Sequence, residues 1–258
     1  MGSDGTGRGD PARTLELLWR TAGEASPRRG PRRGLSVDEV VGRATELADA
    51  DGLDKVTMRR LAESLDVAPM TLYNYVPSKG ELLDLMLDDA YLRMRRTPLG
   101  RKQWRAGLEA VADDNRALYA QHPWAAAVST GRPPLGPGQM AKYEHELSPL
   151  EGHGLSDVEL DAALTFVLDF VQSSALAEAQ TRSTKQESGL DEEEWWATAG
   201  PLLARMLDTA AYPRAVRVGG AAGAKQGAAY NPDAAYRFGI QRVLDGLGVL
   251  IDRRSKSK

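Results

Sequence analysis

The sequence predicts an all-α chain in which a small three-helix unit near the N-terminus is followed by a larger helical domain. Three observations predict it. Apolar residues recur at spacings of three and four through most segments, no segment alternates apolar and polar residues as a half-buried strand would, and Gly- and Pro-containing breaks fall between the periodic stretches. With 258 residues, 42% of them hydrophobic, the chain is long enough for one large or two modest domains with real cores. The spacing and breaks divide it into an N-terminal extension over 1–34, a first domain over 35–97 and a second over 98–258.

Residues 1–11, rich in Gly, Ser, Asp and Arg, are expected to be disordered. In 12–20, ARTLELLWR, Leu15, Leu18 and Trp19 share one helical face, enough for a short amphipathic helix that must dock to persist. Pro27 to Gly34 then places Arg28, Arg29, Arg32 and Arg33 on a flexible backbone. Ser36 caps the next helix, Glu39 completes a capping box, and Val37, Val40, Val41, Ala44, Leu47 and Ala48 form its stripe up to Asp51-Gly52.

The stretch Val56 to Lys79, VTMRRLAESLDVAPMTLYNYVPSK, reads as a helical hairpin. Thr57 caps a short helix with Leu61, Ala62 and Leu65 on one face; Asp66-Val67-Ala68 leaves room only for a tight turn; a second short helix runs through Leu72 and Tyr75 and stops before Pro77. With Val67, Leu72 and Val76 inward, the outward set is Pro69, Met70, Thr71, Tyr73, Asn74 and Tyr75. Hydroxyls, an amide and phenols reach phosphates, base edges and thymine methyls, whereas an ordinary surface helix would carry Lys and Glu. The hairpin therefore reads as one that docks on DNA, with a plain helical hairpin in an all-α core as the competing reading.

Ser78 caps a further helix, with Glu81 three positions on and Leu82, Leu83, Leu85, Met86 and Tyr91 along one side, extending to Arg96; Lys79 lies in its first turn, where a cation and free amides suit a phosphate. Next to such a hairpin the Arg28 to Arg33 run reads as an arm for phosphates or the minor groove.

TMRRLAESLDVAPMTLYNYVPSKGELLDLM resembles the DNA-binding domain of the tetracycline-repressor (TetR) family of bacterial regulators. Arg60, Leu61 and Ala62 open the match; Val67, Thr71, Leu72, Tyr73, Tyr75, Val76, Lys79, Glu81, Leu82 and Leu83 complete it. Asp66 stands where Gly is usual, a tolerable exchange in a left-handed turn. The motif covers roughly a quarter of the chain. It implies a homodimer on a palindromic double-stranded DNA operator, acting as a repressor released by a small organic effector. The residues assigned to DNA are Arg33, Thr57, Arg59, Pro69, Met70, Thr71, Tyr73, Asn74, Tyr75 and Lys79.

Beyond the Thr97 to Gly100 break, helices are predicted over 102–121, 124–129, 138–152, 157–184, 192–211 and 233–254, with the Gly/Ala-rich 213–231 as a mobile loop. The helices 157–184 and 233–254 are more apolar than one buried face requires. In the latter Gly239, Gly246 and Gly248 each cost about 1 kcal/mol against alanine, more easily offset if another helix approaches closely. The resemblance implies that they pair with their symmetry mates in a four-helix dimer interface, setting two reading helices about one DNA turn apart. Candidate effector contacts are Trp104, His122, Trp124, Tyr143, Phe166, Phe170 and Trp195, aromatic or polar groups inside apolar helices.

Other classes are disfavoured. A net charge of −3 argues against a non-specific nucleic-acid coat, so DNA contact must be local. No cysteine means no disulfide, thiolate metal site or cysteine nucleophile, and no stretch is expected to reach the ~20 apolar residues of a membrane span. A cytoplasmic protein is expected. His145 and His153 with Glu144, Glu146 and Glu151 lack a metal-site spacing and read as a solvated polar face, so no metal and no cofactor are expected. G-x-S-x-G, GxxxxGK[ST] and HExxH are absent, and Asp191 to Glu194 caps a helix, so no enzyme is expected. The alternative is a helical adaptor, or a regulator answering to a protein partner without a small molecule.

Overall fold

The computed structural model describes residues 5–20, 34–100, 103–128 and 131–255, and among these it contains twelve α-helices, two short 3-10 turns and no β-strand. The first five helices are α1 (Pro11–Leu18), α2 (Val37–Asp51), α3 (Met58–Ser64), α4 (Pro69–Leu72) and α5 (Lys79–Arg93). The rest are α6 (Trp104–Gln121), α7 (Pro123–Ala127), α8 (Pro137–Leu147), α9 (Asp157–Ser188), α10 (Glu192–Met206), α11 (Pro213–Gln226) and α12 (Pro232–Ser255).

The starts of the helices follow their caps. Ser36 with Glu39, Ser156 with Glu159 and Asp191 with Glu194 each form a reciprocal capping box. Ser78 caps without a reciprocal box: its Oγ accepts from Gly80 N and donates to Glu81 Oε2, while Glu81 Oε1 reaches the N-terminal segment and accepts from Asp10 N at 3.2 Å. The helix ends at Arg93 rather than Arg96.

One buried cluster runs from Leu18 of α1 to Ile251 of α12, and α5 lies at its centre. This helix is buried on nearly every side because α2, α1 and α8 all pack on it. Gly138 shows how closely α8 approaches: a Cβ there would lie 1.9 Å from the Asp88 carbonyl oxygen. The helices α9 and α12 pack on each other and on α6.

Three expectations need correction. Residues 5–10, read as disordered, are held on α5, with Gly7 N–H donating to the Asp84 carboxylate at 3.1 Å. Of Leu15, Leu18 and Trp19 only Leu18 is buried, while Trp19 keeps its ring half out and donates Nε1–H to the Leu135 carbonyl at 2.8 Å. The segment 213–231 is mostly helix: Pro213 starts α11 and Gly227, in the left-handed region at φ 67°, ends it. In addition, α9 is by length and composition apolar enough to cross a bilayer, contrary to expectation. Its apolar residues divide between a core row, including Leu164, Val167 and Val171, and exposed Val158, Phe166 and Leu176, with Asp169 exposed at mid-helix, as in a helix with two packing faces. The arm residues Arg28, Arg29, Arg32 and Arg33 lie outside the described residues.

Candidate nucleic-acid interface

Helix α3 starts on Thr57, whose Oγ1 accepts from Arg60 N at 3.2 Å, and buries Leu61 and Ala62 completely. It ends in a Schellman turn: Asp66 N–H donates to the Glu63 carbonyl at 3.3 Å and Val67 N–H to the Ala62 carbonyl at 3.1 Å, with Asp66 at φ 54°. The left-handed position expected at Asp66 is therefore present. Pro69 sets the first turn of α4, Leu72 and Val76 are fully buried, and Val76 N–H closes onto the Leu72 carbonyl at 2.9 Å. The hairpin is thus pinned from below by Leu61, Leu72 and Val76.

Its outer surface carries most of the predicted residues. Pro69 and Asn74 are exposed, Met70 is 75% exposed and Tyr73 is exposed, with Thr71 at the edge. On α3, Arg59 projects into solvent beside Glu63, 3.0 Å away, while Arg60 pairs with Asp51 at 2.5 Å and is turned toward α2. Tyr75 departs from the outward set: it is half-buried against the core, so its phenol presents only an edge. Lys79 is half-buried in the first turn of α5. An exposed apolar tip with an amide, hydroxyls and a solvent-facing arginine matches what a major groove offers, and no bulky acidic group stands among Pro69 to Tyr75.

Behind the hairpin, α2 is joined to the second domain. Asp49 Oδ1 accepts from Trp124 Nε1 at 2.7 Å and lies 2.8 Å from His122 Nδ1. Both predicted effector residues thus serve a contact between domains, at the edge of an open cleft of about 690 Å³ between α2 and α7 with α9.

The other predicted effector residues do not converge. Trp104 packs half-buried against Gly248 of α12, Tyr143 donates to Asp161 at 2.8 Å, and Phe170 stacks on Tyr236 with centroids 5.9 Å apart. Phe166 and Trp195 are half exposed, Trp195 beside Trp196. What the second domain does bury is a polar cluster. Lys142 Nζ lies 2.6 Å from Glu146 Oε2, Asn115 Nδ2 donates to Glu146 Oε1 at 2.5 Å, and Lys142 sits 5.3 Å from the Tyr91 ring centroid. Burial pushes the Tyr91 and Tyr119 phenols well up, which keeps them neutral donors. Asn115 Oδ1 and His145 Nε2 are buried with no partner, a costly state for polar atoms. Glu146 is therefore core, not part of a solvated face.

Comparison with known proteins follows the same division. Residues 40–86 match the model for bacterial regulatory proteins of the tetR family, and residues 97–251 match the tetracyclin repressor-like C-terminal domain. The chain is 41% identical to the HTH-type transcriptional repressor DrrR1 of Streptomyces coeruleorubidus, over 96% of this chain and 90% of that one. The chain belongs to the TetR family. It is 27% identical to the tetracycline repressor protein class E of Escherichia coli, over 85% and 94% of the two chains. The Streptomyces coelicolor TetR family protein ActR, solved in complex with actinorhodin, shares the fold at a TM-score of 0.70 and 24% identity, covering 83% of this chain and 96% of that one. The structure of BioQ with its double-stranded DNA operator matches at a TM-score of 0.51 and 28% identity, covering 60% of this chain and 93% of that one.

This TetR-family chain is a DNA-binding transcriptional regulator. Asp49, Asn115 and Lys142 were not singled out in the sequence, and Glu146 was placed on a solvated face where the structure buries it. For Asn115 a signal exists, because Leu108, Val111, Ala112, Asn115, Leu118 and Tyr119 continue one stripe at spacings of three and four, which places an amide among core residues.

Proposed function

We propose that the chain is a homodimeric repressor that occupies a palindromic operator through Pro69, Met70 and Asn74 at base edges, with Thr57, Arg59, Thr71, Tyr73, Tyr75 and Lys79 at or near phosphates. A small organic effector in the second domain releases it. The reading rests chiefly on the exposed, unacidic tip of α4 above a buried Leu61, Leu72 and Val76 floor. The repressor name of DrrR1 and the operator complex of BioQ support it.

The head comprises residues 35–97 and the core 98–258, and the protein works in the cytoplasm, where its DNA is. Dimerisation uses α9 and α12, whose exposed Phe166, Leu176, Phe238 and Val249 need cover. Effector recognition falls on the buried Asn115, Tyr119, Lys142 and Glu146 with the half-buried His145. Asn115 Oδ1 and His145 Nε2, buried atoms without a partner, offer a ligand hydrogen bonds.

The test is selection from random duplex DNA by the purified protein at two salt concentrations. A recovered palindrome with half-sites about one helical turn apart supports a dimeric reader. Binding without a motif that vanishes with salt overturns it.

A further inference from the structure

The N-terminal segment borders a half-open cavity that the repressor reading does not use. Residues 5–10 cross the first half of α5 as a strap: Gly7 N–H donates to both Asp84 oxygens at 3.1 and 3.2 Å, Asp10 N–H to Glu81, and Thr6 Oγ1 to the Arg132 carbonyl at 2.6 Å. The fit is close. Gly7 has φ 67°, and a Cβ there would fall 2.6 Å from Arg132 Cβ. Between the strap, α1 and the Pro-rich turn before α8 lies a cavity of about 120 Å³, walled by Pro11, Leu15, Leu18, Pro134 and Leu135, with Asp84 in its lining.

Asp84 is 99% buried by exposed area, since only 1% of it is exposed, and among the described residues no cation stands within ion-pair distance of it. Glu81, one turn earlier, adds negative charge rather than relieving it. Arg132 also lines the cavity, but it is exposed and its guanidinium is engaged with the Gly7 carbonyl at 3.4 Å. A carboxylate has about four acceptor positions, and here the Gly7 N–H fills little of that capacity. Burial, with the negative charge of Glu81 one turn away, pushes the Asp84 carboxyl up to about 6. A half-open, mostly apolar cavity with one buried carboxylate that no described cation pairs wants a cation carrying a compact apolar body.

We propose that this cavity is a binding site for a small aliphatic ammonium ion, whose charge pairs with Asp84 and whose alkyl body fills the wall of Pro11, Leu15, Leu18 and Leu135. A cavity of about 150 Å³ holds benzene, so this smaller one takes roughly five non-hydrogen atoms. The apolar wall disfavours a hydrated metal ion, which would have to shed water without gaining oxygen ligands. Bound there, the ligand fastens the strap to α5 and to the turn before α8, at residues distinct from Asn115, Lys142 and Glu146.

The test uses the full chain without DNA, so it stands or falls separately from the operator reading. Titration calorimetry compares isobutylammonium with isobutanol, a neutral molecule of the same size. The expected result is at least tenfold tighter binding of the ammonium, loss of that preference in Asp84→Asn, and loss of both ligands in Leu15→Trp, which fills the chamber from a partly exposed position. Equal affinity for the two ligands, an ammonium preference that survives Asp84→Asn, or no binding of either overturns the proposal. Should Asp84→Asn fail to fold, Leu15→Trp decides alone: retained ammonium binding refutes the site and its loss in a folded variant supports it.

Discussion

Asp49 of α2 and Trp124 of α7 meet through a single hydrogen bond of 2.7 Å, and His122 shares the same carboxylate oxygen. Trp124 is 3% exposed, so removing the acceptor strands a buried indole N–H. Asp49→Ala is expected to cost about 1–3 kcal/mol in urea unfolding, and the same change made in a Trp124→Phe background to cost markedly less. Equal costs in the two backgrounds would show that the pair is not coupled.

The hairpin makes a separable pair of predictions for operator binding. Asn74→Ala should lose about 1–3 kcal/mol on the selected operator and relax preference at one base pair. Arg59→Ala should weaken all duplexes alike and reduce the salt slope by about one. A sequence-selective loss from Arg59→Ala would contradict its assignment to phosphate.

Asp66 carries a Cβ in the left-handed region, at φ 54°. Asp66→Gly is expected to stabilise the chain by about 1 kcal/mol in thermal or urea unfolding, and Asp66→Val to destabilise it, because only the former removes the clash of Cβ with the following carbonyl.

Asp84 sets a pH dependence of definite sign. Its folded value of about 6 stands above the ordinary 3.8, so between these the folded chain holds a proton that the unfolded chain has lost. Its contribution to stability therefore grows as pH falls through about 6 and disappears as pH rises through that value. Asp84→Asn should be favoured over the parent at pH 7.5, and the difference should shrink by pH 5. A difference that grows on acidification would contradict the burial of this carboxyl.

On α12, Phe238 is 66% exposed and Gly246 faces open space. Phe238→Glu should leave a monomer by sedimentation, with operator affinity lower by about 10²–10⁴, the factor by which two linked reading heads exceed one. A variant that remains dimeric would move the interface elsewhere.

The hairpin was readable because its determinants are local: Thr57 caps, Leu61 and Leu72 point inward by periodicity, and Asp66 marks the turn. Residues 5–10 were unreadable for the opposite reason, since their order comes from Glu81 and Asp84, more than seventy positions away. At 213–231 Gly and Ala content outweighed punctuation that was present, with Pro213 at the first turn and Gly227 at the end. The expected role of the α12 glycines was half met. Gly239 accommodates Phe170 and Gly248 faces Trp104, both within the chain, and only Gly246 is left open for a second helix. The buried set around Glu146 combines groups from α6 and α8, and no single helix displays it.

Gly138 leaves no side chain between the start of α8 and the backbone of α5 at Asp88, and Asp88 closes the join by accepting from Gly138 N at 3.1 Å and Gln139 N at 2.8 Å. Contacts cushioned by side chains absorb displacement by changing rotamers; backbone against backbone has no such slack. The two helices consequently form one stiff body with its fulcrum at Asp88. A tilt imposed at Lys142 and Glu146 near one end must reappear at Lys79, next to the reading hairpin, as rotation of the whole piece.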